Sequence, residues 1–286
     1  MKKSYTIAAL LIALAAGPLH SLADDPYTLR MGLEQGKSYL YTDHVTASIV
    51  QEMGGQEMKS LSTSSIVSRI SVDAVLPDGS FSLITQLDSM TASTKSPRMD
   101  TTRVMTDIMG KRSRVVLSPL GKVIQRAIID SIKAAGPMMR GAAAREVIRF
   151  QTLPEQAVVA GAQWTVTSVD TNEMMGGKMV TGATITYTLN GKEENGGRTC
   201  VKIGYTGTMT IEGKGSMMGM ELFSEGKGTL SGTWHFDPAA GITVADESQM
   251  DTDVTMAMTG QQNMTMPITT SSKTSRILRA IEEMKK

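Results

Sequence analysis

The chain of 286 residues carries 29 Lys or Arg against 28 Asp or Glu, is 41% apolar but only 4% aromatic, and holds 1 Cys and 3 His. That balance argues against nucleic-acid binding, which draws on positive charge interleaved with stacking aromatic rings. A lone cysteine excludes an intramolecular disulfide, and so few histidines exclude a multi-histidine zinc centre.

In chain order, Met1-Lys2-Lys3 is followed by an uncharged apolar stretch over 5–16, then Gly17-Pro18, then Ser21-Leu22-Ala23 before Asp24. A basic start, a short apolar core, a helix breaker and small residues form the layout of a secretory signal peptide. The apolar core is shorter than the roughly 20 residues that span a bilayer. Residues 1–23 are therefore expected to be removed, leaving a periplasmic or secreted protein. Asp24 stands where a lipoprotein needs Cys, so no lipid anchor is expected, and the mature chain offers no transmembrane segment.

Period-two alternation rich in Thr, Ser, Val and Ile then predicts strands over 38–50, 58–76, 80–92, 103–108 and 112–117, an N-terminal β lobe over 24–121. Pro77-Asp78-Gly79 should close a hairpin, Pro presetting one backbone angle and Gly supplying the positive one. From Lys122 the period changes: Ile124, Ala127, Ile128, Ile132 and Ala135 recur at helical spacing. That predicts a helical segment over 122–152, broken at Gly136-Pro137 and resuming over 140–150. Strands return in a C-terminal β lobe over 153–274, with Asn190-Gly191, Asn195-Gly196-Gly197 and Gly213-Lys214-Gly215 read as turns. The stripe Ile277, Leu278, Ile281 and Met284 predicts a short helical tail over 275–286.

The fold expected is mainly β: two related antiparallel lobes, half-barrel or sandwich-like, with a central helical segment packed against them. The relation rests on Gly36-Lys37-Ser38-Tyr39 and Gly161-Ala162-Gln163-Trp164 at the two openings, and on the late turns Pro119-Leu120-Gly121 and Pro238-Ala239-Ala240-Gly241. The signal peptide, the opening at Gly36, the junction from Leu153-Pro154 to Trp164 and the turn at Pro238 resemble an exported bacterial β-rich family catalogued only as a domain of unknown function. In layout the chain is also similar to the half-barrel carriers of lipoproteins and lipids in the bacterial envelope.

Chemistry-bearing residues are sparse. Cys200 sits in an alternating run, where a small buried thiol is the plainer role than a nucleophile. Gly213-x-Gly215 and Gly226-x-Gly228 lack the helix a phosphate loop needs and read as hairpin glycines. Asp251 and Asp253 share a strand face, more often solvated than cation-binding. No catalytic, cofactor or metal residues are expected, and the chain is expected not to be an enzyme.

Two features remain. Between Lys95 and Phe150 there are 12 Lys or Arg against 4 Asp or Glu, with Lys122, Arg126 and Lys133 placed to meet an anionic membrane surface or a partner. Methionine numbers 23 against 4 Phe, and Met218 with Met220, Met256 with Met258, and Met264 with Met266 pair at strand spacing. They fill a core, line a cavity for an apolar ligand, or form a thioether face for Cu(I). The sequence favours an exported, non-enzymatic envelope protein binding a lipid-like ligand. The alternatives are an interaction protein with no small ligand and, behind it, a copper binder.

Overall fold

The computed structural model describes residues 25–130, 150–174, 177–217, 220–260 and 263–284. Among them are twelve strands: β1 (Lys37–Met53), β2 (Gln56–Val75), β3 (Phe81–Ser96), β4 (Met99–Val104), β5 (Arg112–Leu117), β6 (Val123–Ile128), β7 (Gln163–Met174), β8 (Gly177–Asn195), β9 (Arg198–Met217), β10 (Met220–Asp237), β11 (Ile242–Thr259) and β12 (Met264–Glu283). All belong to one antiparallel sheet in the order β6-β5-β3-β2-β1-β12-β11-β10-β9-β8-β7, with β4 on the edge of β3. The strands of both expected lobes thus share a sheet, zipped at its middle by β1 on β12. The sheet is open, β6 and β7 being its edges.

The sheet is rolled. Leu153 N donates to Leu120 O beside β5, Trp164 Nε1 on β7 donates to Thr152 O, and Tyr187 on β8 donates to Gln151. Three consecutive residues thus touch both flanks, which in a flat sheet with ~4.8 Å between strands would lie about 40 Å apart. Rolling makes one face concave, and the burial follows: along β10 and β2, half-buried and exposed residues alternate for most of the strand.

Among the described residues, one end of the roll is packed. Tyr39 and Tyr41 of β1, Val72 of β2, Leu83 of β3, Leu117 of β5, Leu189 of β8, Ile203 of β9 and Trp234 of β10 form the core there. Two straps cap it, 27–33 and 150–158, joined by a bridge between Tyr27 and Val158. Leu29 and Leu153 are the buried residues they insert. The strap 27–33 needs glycine at both sides of its closest approach: Gly32 N donates to Gly241 O, and a Cβ on Gly32 would stand 2.6 Å from Ala240 O.

The hairpin at Pro77-Asp78-Gly79 forms as expected, with Gly79 at φ 80° and Ser80 N donating to Asp78. Asn195-Gly196-Gly197 is likewise a turn. Three other glycine runs are not. Gly191 lies in β8 at a bulge, and Gly213-Lys214-Gly215 and Gly226-x-Gly228 lie inside β9 and β10. Gly207, Gly213, Gly226, Gly228 and Gly232 all fall on the concave side, where neighbouring strands crowd in: a Cβ on Gly228 would stand 2.7 Å from Asp251 O and 2.9 Å from Met209 Cγ. Glycine here marks the bend of the roll.

The expected central helical segment is not supported. Val123–Ile128 is strand β6, whose ladder to β5 sets Arg126 opposite Val115 and Ile128 opposite Ser113. β-Branched Val123, Ile124 and Ile128 suit a pleated edge, and pairing with β5 overrides a weak helical period. The rest of that expectation, 131–149, lies outside the described residues. The helical tail is also corrected. β12 continues to Glu283 because β1 and β11 flank it on both sides, hydrogen-bonding its backbone as a strand. Its apparent stripe divides between faces, with Leu278 on the core and Ile277 41% exposed.

Candidate functional site

Beyond the packed end, the concave face runs on as a trough with no second layer over it among the described residues. Its floor is set by ladder pairs: Met250 opposite Ser272, Thr252 opposite Thr270, Val254 opposite Ile268, Met256 opposite Met266 and Met258 opposite Met264. On the other flank Val45, Ala47 and Ile49 of β1 lie opposite Ser64, Ser62 and Ser60 of β2. Methionine, aliphatic and small hydroxyl side chains therefore line it. The convex face carries the charge instead, for example Lys227 opposite Asp253.

At the junction between core and trough stands a buried polar cluster. Arg276 of β12 grips Asp43 of β1 through Nε to Oδ1 at 2.6 Å and Nη2 to Oδ2 at 3.2 Å, its guanidinium 5.6 Å from the Tyr41 ring. Asp246 of β11 lies opposite Arg276 in the ladder and accepts from Tyr205 Oη at 2.6 Å and Gln151 Nε2 at 3.0 Å. Tyr187 donates to Gln151 at 2.9 Å and stacks on Trp164 at 5.3 Å. Burial works against the Arg276 charge, but Asp43 more than offsets it, and its pKa is raised. Burial, with the Asp246 charge assisting, pushes Tyr187 up to about 12. The Tyr187 hydroxyl thus stays a protonated donor at neutral pH.

Of the expected apolar-face residues, Met220, Met256, Met258, Met264 and Met266 are half-buried on the concave side, and the last four are brought together in two consecutive ladder pairs. Met218 lies outside the described residues. Of the basic residues, Lys122 is exposed in the turn before β6 and Arg126 is exposed on β6, while Lys133 lies outside the described residues. Lys122 and Arg126 belong to a turn and an edge strand, not to a helix face.

Asp251 and Asp253 sit away from the trough, accepting from Gln249 and Thr269 respectively. Cys200 is fully buried, and burial followed by the Asp237 charge pushes its thiol up to about 11. A thiol-specific reagent is therefore expected to modify Cys200 only after denaturant unfolds the chain; rapid labelling of the folded protein at neutral pH would contradict this placement. The polar cluster was missed by sequence reasoning, since Arg276 stood in an expected helix and Asp43, Asp246 and Gln151 share no motif.

No family model and no curated protein matches the chain. Among solved structures it is similar to lipovitellin, described for its lipid-protein interactions, at 10% identity and TM-score 0.45, over 88% of this chain and 26% of that one. It is similar to OpdQ of Pseudomonas aeruginosa at 6% identity and TM-score 0.26, over 85% and 99%. An outer membrane channel from Pseudomonas putida F1 follows at 9% and 0.27, over 90% and 98%. The chain spans about a quarter of the lipovitellin chain. Likeness at these levels says nothing about what the chain binds.

Proposed function

We propose that the chain is an exported, non-enzymatic protein of the bacterial envelope whose trough holds a lipid-like apolar molecule. The observation that carries this is the uncovered concave face. A sheet with an apolar face is stable when something packs on it, and among the described residues only one end is packed by the protein itself. From Arg276 to Met264 the trough runs about 40 Å at ~3.4 Å per residue. An acyl chain filling one leaflet of a ~30 Å hydrocarbon core extends about half that thickness, so the trough takes one chain with room beyond it.

Flexible thioethers adapt to apolar shapes without a fixed pocket, which suits a carrier of chains rather than of one rigid ligand. The polar cluster at Arg276 and Asp43 marks where the trough stops, because burying further chain against it would strand charged groups. The layout of the first 23 residues supports export. The buried, protonated Cys200 supports a structural role for the one thiol.

The test is the native mass of the protein released gently from its own envelope. A surplus mass that extracts into organic solvent is expected. A mass equal to the bare chain from Asp24, with no uptake of a fluorescent fatty acid, would replace the carrier with an interaction protein.

A further inference from the structure

The methionines at the far end of the trough make an arrangement that the carriage of an apolar chain does not require. Met256 lies directly opposite Met266, and Met258 directly opposite Met264, in consecutive same-face pairs of β11 and β12. Directly opposed side chains start with their Cβ atoms about 5 Å apart, and same-face neighbours along a strand about 7 Å apart. Four long, unbranched thioethers rooted at those spacings can turn their sulfurs toward one point. A fifth leans in from β10: Met220 Cγ lies where a Cβ on Gly260, just past β11, would be 3.0 Å away.

The surroundings select among ions. Around the quartet the same face carries Leu222, Ser224, Val254 and Ile268, with no carboxylate or imidazole among the described residues. The nearest acidic side chains in these strands, Glu221, Glu225 and Asp253, alternate onto the convex face and are exposed. A hard cation such as Ca²⁺ or Mg²⁺ finds no oxygen charge there, and a borderline cation such as Zn²⁺ finds neither imidazole nor thiolate. Neutral, soft thioethers match a soft monovalent d¹⁰ ion. We propose that Met256, Met258, Met264 and Met266 form a binding site for Cu(I), with Ag(I) as its redox-inert substitute. Leucine at the four positions removes every sulfur while keeping apolar side chains on the trough floor, so it tests the metal site by its own chemistry.

The experiment titrates the purified mature chain, labelled with ¹³C at the methionine methyls, with Ag(I), and then with Cu(I) under anaerobic competition from a chromophoric chelator. Saturable uptake of a single equivalent is expected, with shifts confined to the methyls of this cluster. Uptake should vanish when the four become Leu and persist in the control Met58→Leu with Met90→Leu, which removes concave-face methionines on β2 and β3. Far-UV circular dichroism checks that the fourfold variant is folded; should it not be, the shift pattern of the wild-type chain decides. No saturable uptake, uptake that survives in the fourfold variant, or shifts spread over all methionines would each overturn the site. Fatty-acid uptake is followed in the same variants, so a failed metal site and a failed carrier are told apart.

Discussion

Replacing Arg276 by Met is expected to lower the unfolding free energy by about 3–5 kcal/mol, the range for breaking a buried ion pair from one side. Asp43 is 2% exposed and receives two charge-assisted hydrogen bonds from Arg276. Without them its carboxylate stays in the wall of the core with its charge uncompensated. Asp246, opposite Arg276, loses the same cation but keeps Tyr205 and Gln151 as donors. The variant Asp43→Leu with Arg276→Met should therefore recover a large part of the loss, since apolar replacement of both partners of a buried pair is often close to neutral. Urea midpoints of wild type, both single variants and the double close the cycle. Additive losses would mean that the pair is not coupled and that Asp43 finds its charge balance elsewhere.

Gly232→Val is expected to cost about 3 kcal/mol, at the upper end of what overpacking does in a filled interior. A Cβ at Gly232 would fall within the space of the Tyr205 ring and of the Glu247 carbonyl. The carbonyl belongs to a ladder and cannot retreat without loosening β10 from β11. Tyr205 can move only by giving up its hydrogen bond to Asp246. The loss should therefore appear both as a lower urea midpoint and as altered tyrosine fluorescence in the folded state. Wild-type stability in this variant would show that the roll has slack at β9 and β10 and that glycine is not what bends it.

Much of the strand content was legible in the sequence because alternation is a local property. The hairpin at Pro77-Asp78-Gly79 needed only its own residues. What was not legible depended on partners far along the chain. Ile124 and Ile128 fit a helix as well as a strand, and only the ladder from Ser113 to Leu117 decides between them. Arg276 in isolation is a polar residue on an amphipathic tail; its burial exists only because Asp43, 233 residues away, comes to face it. The glycines of β9 and β10 look like turn residues, and their role in bending appears only when the strands beside them are in place. Spacing of two along each strand is also local, so it puts Met256 with Met258 and Met264 with Met266 on one side, although their opposition across β11 and β12 needs the register.

The pairing of β1 with β12 places the first and last described strands at the centre of the sheet, with Lys37 meeting Glu283 across 246 residues. Each flank can zip locally, β2 onto β3 and β8 onto β9, through short turns with little loss of chain entropy. Joining the flanks brings together residues as far as 246 positions apart, and contacts of that separation form slowly. Synthesis delivers β12 last among the strands, so until it arrives β1 and β11 each present an unpaired edge. A holdase chaperone or a high dilution should therefore raise the yield of folded protein more than any change in the local strand sequences, because the hazard lies in the interval before β12 is seated.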